Sequence, residues 1–248
     1  MKAQDYAREG ENIAEGISSI IDSNFKDQEW NKTFARVLQA QLKQARKIGG
    51  ELRLRLYGSN EKENKEAQYD IQSMANQLIP ADWVNKSNEC GTIHTRRIRG
   101  RQWHRFIRQN STIKVDDLQN PINVTAGDSL IFTAENEIYD TMHEFVHRLQ
   151  NVFPDIQEMF QSIHDQRTAH EDIDYLYHDG HEVGKKDDYI NAYFGRVYPH
   201  GGALELWPMC CQSIMGHLLD DLYCQRFFLE KDPELAYITI GVLFCFEG

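Results

Sequence analysis

Apolar residues recur at helical spacing through most of the first eighty positions. Ile13, Ile17, Ile20 and Ile21 form a stripe that predicts a helix over residues 4–22. Trp30, Phe34, Val37, Leu38, Leu42, Ala45, Ile48, Leu52 and Leu56 keep one helical phase. They predict a longer helix running through Gly49-Gly50, where the glycine pair weakens or bends it. Residues 61–79 supply a third, with Ala67, Ile71, Met74, Ala75, Leu78 and Ile79 in phase, and Pro80 ends it. The charge run from Glu61 to Glu66 reads as its solvated first turn.

The pattern changes near residue 90. Short runs at 91–94, 105–108, 111–115 and 129–134 read as strands, and 123–128 as the loop or turn before the last of them. Ile138, Tyr139, Met142, Phe145, Val146 and Leu149 then restore a helical period, which Pro154 stops. Beyond a polar stretch, Gly201-Gly202 mark a break. Leu206, Met209, Cys210, Ser213, Ile214, His217 and Leu218 keep a helical phase over 203–219. Pro208 is tolerated there because the first turn lacks helical partners for its N–H groups. The chain thus divides into a helical N-terminal region, 1–85, and a mixed region, 86–248, and its expected class is α+β.

Composition narrows the class. A chain of 248 residues with 41% hydrophobic and 26% charged residues has the make-up of a soluble globular protein. The net charge of −11 argues against general nucleic-acid binding. Charge follows Met1 to Tyr6, so no secretion signal is expected, and the apolar stretch 238–246 is too short to span a bilayer. Five cysteines, odd in number and without a CxxC pair, suit reduced thiols in a cytoplasmic compartment. Cys210 and Cys211 read as small buried residues on a helix. Six arginines fall between Arg96 and Arg108 with no acid among them. A polyanion site is one reading; a solvated face paired with acidic helices is favoured.

The strongest chemistry lies at His143-Glu144-Phe145-Val146-His147. With ten histidines in the chain, a shuffled sequence would contain H-E-x-x-H about 0.03 times. On a helix the two histidines share one face, one turn apart, and suit a single Zn2+ ion. Glu144 sits beside the first ligand, where a carboxylate takes a proton from zinc-bound water. The strand before this helix offers an edge for an extended substrate. The bland alternative is a core helix with two surface histidines.

A catalytic zinc usually has three protein ligands. A third histidine six residues after His147 would extend the motif, but Phe153 stands there. His164, His170, Glu171, His178, His181 and Glu182 lie in the polar stretch and read as loop surface. Glu205, at the start of the 203–219 helix, is better placed. Tyr198, seven residues earlier, can donate a hydrogen bond to an oxyanion at the metal.

HEFVH, a distant glutamate and a tyrosine seven residues before it resemble the gluzincin-type zinc metallopeptidases, with a spacing similar to that of the anthrax lethal factor protease domain. A closer resemblance is to the metallopeptidase domain of phage minor head and prophage-like bacterial proteins. It runs over about residues 90–246, through Gly127 to Ile156, Gln166 to Ala169, Asp188 to Tyr198, Ala203 to Glu205 and Asp232 to Phe246. The resemblance implies His143, His147 and Glu205 as zinc ligands, Glu144 as base and Tyr198 as oxyanion donor. It also implies a zincin-like fold: a small mixed sheet, an active-site helix and a second, glutamate-bearing helix. The chain departs from the pattern at Val146, where glycine is common, and at Leu206-Trp207-Pro208, where small residues are.

The expected function is therefore a zinc-dependent endopeptidase acting on a protein or peptide, with no membrane partner. The alternative is a non-catalytic, phage-derived structural or interaction module that retains a zinc site.

Overall fold

The computed structural model describes residues 1–57, 61–99, 102–114, 121–134, 138–176, 182–185, 187–198, 204–215 and 225–248. In chain order the first elements are α1 (Ala3–Ser18), α2 (Asp27–Ala45), β1 (Leu54–Leu56), α3 (Glu61–Leu78), α4 (Ala81–Cys90), β2 (Ile93–Arg97), β3 (Trp103–Phe106), β4 (Ser111–Ile113) and β5 (Ile122–Val124). Then come β6 (Ser129–Thr133), α5 (Ile138–Val152), α6 (Pro154–Arg167), β7 (Ile173–Tyr175), β8 (Val183–Lys185), α7 (Leu206–Met215), α8 (Gln225–Lys231) and α9 (Pro233–Cys245). Among the described residues the protein is mixed α+β, with nine α-helices, small sheets and a helix-rich N-terminal part.

Residues 47–152, joined by Gly248, form one compact unit. Its sheet has the order β1-β2-β6-β3. The first three strands are parallel, and β3 runs antiparallel to β6, with Trp103 opposite Phe132 and His104 opposite Ile131. Side chains alternate across a strand. Leu130 and Phe132 of β6 accordingly pack with Ile107, Ile122 and Val124, so the β4–β5 hairpin shares that core. Ile131 and His104 point to the opposite face, and α5 packs against β3, β6, α3 and α4. Since β6 lies between β2 and β3, it offers no edge for substrate, contrary to expectation; the edges are β1 and β3. The 123–128 segment also differs, because Asn123 and Val124 belong to β5.

A buried arginine joins these parts. Arg148, 0% exposed, donates through Nε to Ser87 Oγ at 2.7 Å and through Nη2 to the carbonyls of Ser87 at 2.6 Å and Gly91 at 2.9 Å. Its Nη1 reaches Gly127 O at 3.1 Å and Ser129 Oγ at 2.8 Å. Burial pulls its pKa down to about 10, so it remains a cation at neutral pH. The Ser87 and Gly91 carbonyls lie at the C-terminal end of α4, where the helix dipole favours positive charge. Arg148 thus ties α5 to α4 and to the start of β6. Arg148→Met should lower unfolding stability by about 3 kcal/mol or more, since it strands several buried acceptors together. Urea unfolding measures this, and an unchanged midpoint would rule the tie out.

Residues 1–46 and 153–247 form the other unit. Its α9 is buried from Leu235 through Leu243 at nearly every position. Helix α1 lies against it backbone to backbone: a Cβ on Gly10 would stand 1.8 Å from Tyr237 O, and one on Gly241 1.9 Å from Tyr6 O. Only glycine permits that approach. Helix α2 packs on α8, where Asn31 Oδ1 accepts from Arg226 N at 2.9 Å. Cys210 and Cys211 are fully buried on α7, and burial pushes both thiols up. Among the described residues, no helix is long and apolar enough to cross a membrane.

Several boundaries depart from the periodicity. Helix α1 ends at Ser18 and leaves Ile20 68% exposed. Helix α2 ends at Ala45 rather than running to Leu56; Gly49 has φ +85°, which no helix accommodates, and Leu54–Leu56 form β1. Pro80 and Pro154 end one helix and also begin the next. Residue 85 falls inside α4, and the units divide elsewhere. In the arginine stripe, Arg97 pairs with Asp70 at 2.9 Å and Glu66 at 3.9 Å on α3, while Arg99, Arg105 and Arg108 are exposed. Arg97, with its side chain 8% exposed, thus pairs with an acidic helix but is not on a solvated face; Arg101 lies outside the described residues.

Candidate metal centre

Helix α5 buries Met142, Phe145, Val146 and Leu149 completely and holds His143 and His147 on the adjoining face. The two are 8% and 6% exposed, so neither is a surface histidine. Their Nε2 atoms stand 3.1 Å apart, with the rings at 80°. His147 Nδ1 lies 2.8 Å from Gln150 Oε1. A carbonyl oxygen only accepts, so Nδ1 carries the proton and the Nε2 lone pair faces His143. Two zinc–nitrogen bonds of about 2.0–2.1 Å at a tetrahedral angle would set the nitrogens about 3.3 Å apart. The observed pair fits that requirement.

The sheet supports this face. The His104 ring of β3 lies parallel to that of His147, with centroids 6.0 Å apart and an 8° angle. Its Nε2 meets Ser129 Oγ at 3.1 Å, and the same hydroxyl accepts from Arg148. Burial first, then His147, Arg148 and His143, holds His104 well below the usual histidine value, so it is neutral.

Glu205 sits one residue before α7, and its carbonyl accepts the Met209 N–H at 3.0 Å. Its side chain is 1% exposed. The Tyr198 hydroxyl donates to Glu205 Oε1 in a short bond, and the Tyr193 hydroxyl approaches the same oxygen at 3.4 Å. Arg196 Nη1 donates to the Tyr193 hydroxyl, lies 3.0 Å from Glu182 Oε1 and reaches Glu205 Oε1 at 3.6 Å. Burial first, and the Glu205 carboxylate next, holds the Tyr198 phenol far above its ordinary value, so it keeps its proton and acts as a donor.

Local sequence explains the arrangement. Asn191 Oδ1 accepts from Tyr193 N at 2.7 Å and starts a 3-10 turn over Ala192–Gly195. Phe194, fully buried, anchors that turn against Phe228. Arg196 then bridges to Gly184 of β8, and Val197 N donates to Val183 O at 3.0 Å. The chain leaves this short sheet at Tyr198.

Among the described residues, His143, His147 and Glu205 are a group of side chains that could hold a metal ion. Glu144, next to His143, is 9% exposed. The competing ligands fare differently. His170 and Glu171 are exposed, His164 is buried beside the Tyr189 ring, and Glu182 pairs with Arg196. His178, His181 and Gly201-Gly202 lie outside the described residues. Sequence reasoning passed over Gln150, His104 and Arg196. Gln150 had a signal, three residues after His147 on the same helix; Arg196 and His104 had none beyond lying near motif residues. No family model, no curated protein and no solved structure matches this chain.

Proposed function

We propose that this chain is a zinc-dependent endopeptidase with a zincin-like catalytic arrangement, His143, His147 and Glu205 being the ligands. The observation that carries the reading is the pair of imidazole nitrogens 3.1 Å apart, with His147 Nδ1 held by Gln150. Bound zinc would supply a Lewis acid and lower the pKa of water beside it.

Glu144 then takes the proton from the attacking water and returns it to the leaving amine nitrogen. Its low exposure keeps that transfer out of bulk solvent. Tyr198 donates to the developing oxyanion. Because Tyr193 also faces Glu205 Oε1, Tyr198 can turn toward substrate without stripping the carboxylate of phenol donors. Strand β3 is an edge strand on the α5 side of the sheet, and an extended peptide can pair along it.

Elemental analysis tests the ligand set. The purified protein should hold close to one zinc per chain, and the double variant His143→Ala/His147→Ala should hold none. Full retention of zinc by that variant would sink the proposal.

A further inference from the structure

Two phenols converge on one carboxylate oxygen, and one guanidinium touches both. The Arg196 carbon centre lies 4.5 Å from the Tyr198 ring centroid and 5.0 Å from that of Tyr193. We infer that Arg196 is a positioning residue that sets the Tyr193 and Tyr198 hydroxyls over the Glu205 carboxylate. This rests on the peptidase reading above and extends it to a residue to which the resemblance assigns no role.

The geometry separates this role from a plain ion pair. Arg196 does pair with Glu182, at 3.0 Å, and that contact alone would fasten β8 to the following segment. A tether needs only a charge. Here the guanidinium also lies over two aromatic faces and donates to the hydroxyl of one of them. A planar cation can fix ring planes in this way, and a compact ammonium cannot. The ring planes set where the hydroxyls point, and both point at Glu205 Oε1. The nearby cation also offsets two enclosed carboxylates, whose side chains are 15% and 1% exposed.

Arg196→Lys keeps the charge and loses the plane. Against a peptide substrate, kcat should fall by about 10- to 100-fold while KM stays within roughly threefold, the pattern Tyr198→Phe should also give. A second readout does not depend on turnover: in the cobalt-substituted protein, the visible bands, which report ligand geometry, should shift in Arg196→Lys as they do in Tyr198→Phe. Glu182→Gln removes the tether and leaves Arg196 on the rings, so it should retain kcat within roughly threefold and the wild-type bands.

Wild-type kcat and bands in Arg196→Lys would overturn the inference. So would Glu182→Gln matching the damage of Arg196→Lys, since the ion pair would then carry the effect. If Arg196→Lys does not fold, Tyr193→Phe takes its place; it removes the hydroxyl that Arg196 holds, and unchanged bands in it would count against the role. A wild-type protein that binds cobalt but cleaves no peptide would defeat the peptidase reading, leaving Arg196 to be judged on the bands alone.

Discussion

Replacing Glu144 by Gln should abolish hydrolysis and leave zinc bound. Glutamine has nearly the same shape, so the packing of α5 should persist, and the variant should unfold at the wild-type urea midpoint. What it loses is the ability to hold a proton between the attacking water and the departing amine. Positioned acid–base groups contribute on the order of 10²- to 10⁴-fold, and kcat/KM should fall by that range. Zinc content should stay near one per chain, because Glu144 is not among the three proposed ligands. Wild-type cleavage by the variant would place the base elsewhere. A wild-type protein that holds zinc and cleaves nothing would favour the structural module.

Local features of this protein were readable from sequence where one stretch supplies both pattern and partners. Helix α5 is such a case: its buried stripe and both imidazoles lie within Ile138–Val152. So is α3, whose predicted span of 61–79 differs by one residue from the observed Glu61–Leu78. Features set by distant backbone were not. The run from Trp30 to Leu56 keeps a helical phase, yet Leu52 is buried outside any helix, beyond Gly49 with its φ of +85°. Periodicity records which residues are buried, not which backbone buries them. Helices α4 and α6 escaped notice because proline was read only as a stop, although it also suits a helix start. The five acceptors of Arg148 come from Ser87, Gly91, Gly127 and Ser129, four residues that no local window joins. Likewise residues 1–46 pack with 153–247, a pairing that composition could not signal.

Glu205→Ala should weaken zinc binding by more than about 100-fold. Removing a group that merely supports a ligand costs about 10- to 100-fold in affinity, and loss of a ligand should exceed that. The apo protein gives a separate reading of the same substitution. Its carboxylate is enclosed, accepts from Tyr198 and lies near Arg196, so Ala leaves a phenol and a cation short of a partner. Stability without metal should therefore drop as well, by about 1–3 kcal/mol. Glu205→Gln divides the two effects. The amide oxygen can still accept from Tyr198 and still offer zinc a neutral donor, so most apo stability should return while zinc affinity recovers only in part. Competition with a chromogenic chelator gives the affinities, and urea unfolding in chelator gives the stabilities. Among the rival donors, Glu182 is tied to Arg196 at 3.0 Å, and His170 and Glu171 face solvent. If Glu205→Ala binds zinc as tightly as the wild type, the third ligand lies elsewhere and the gluzincin-like subclass falls, even with His143 and His147 still holding the metal.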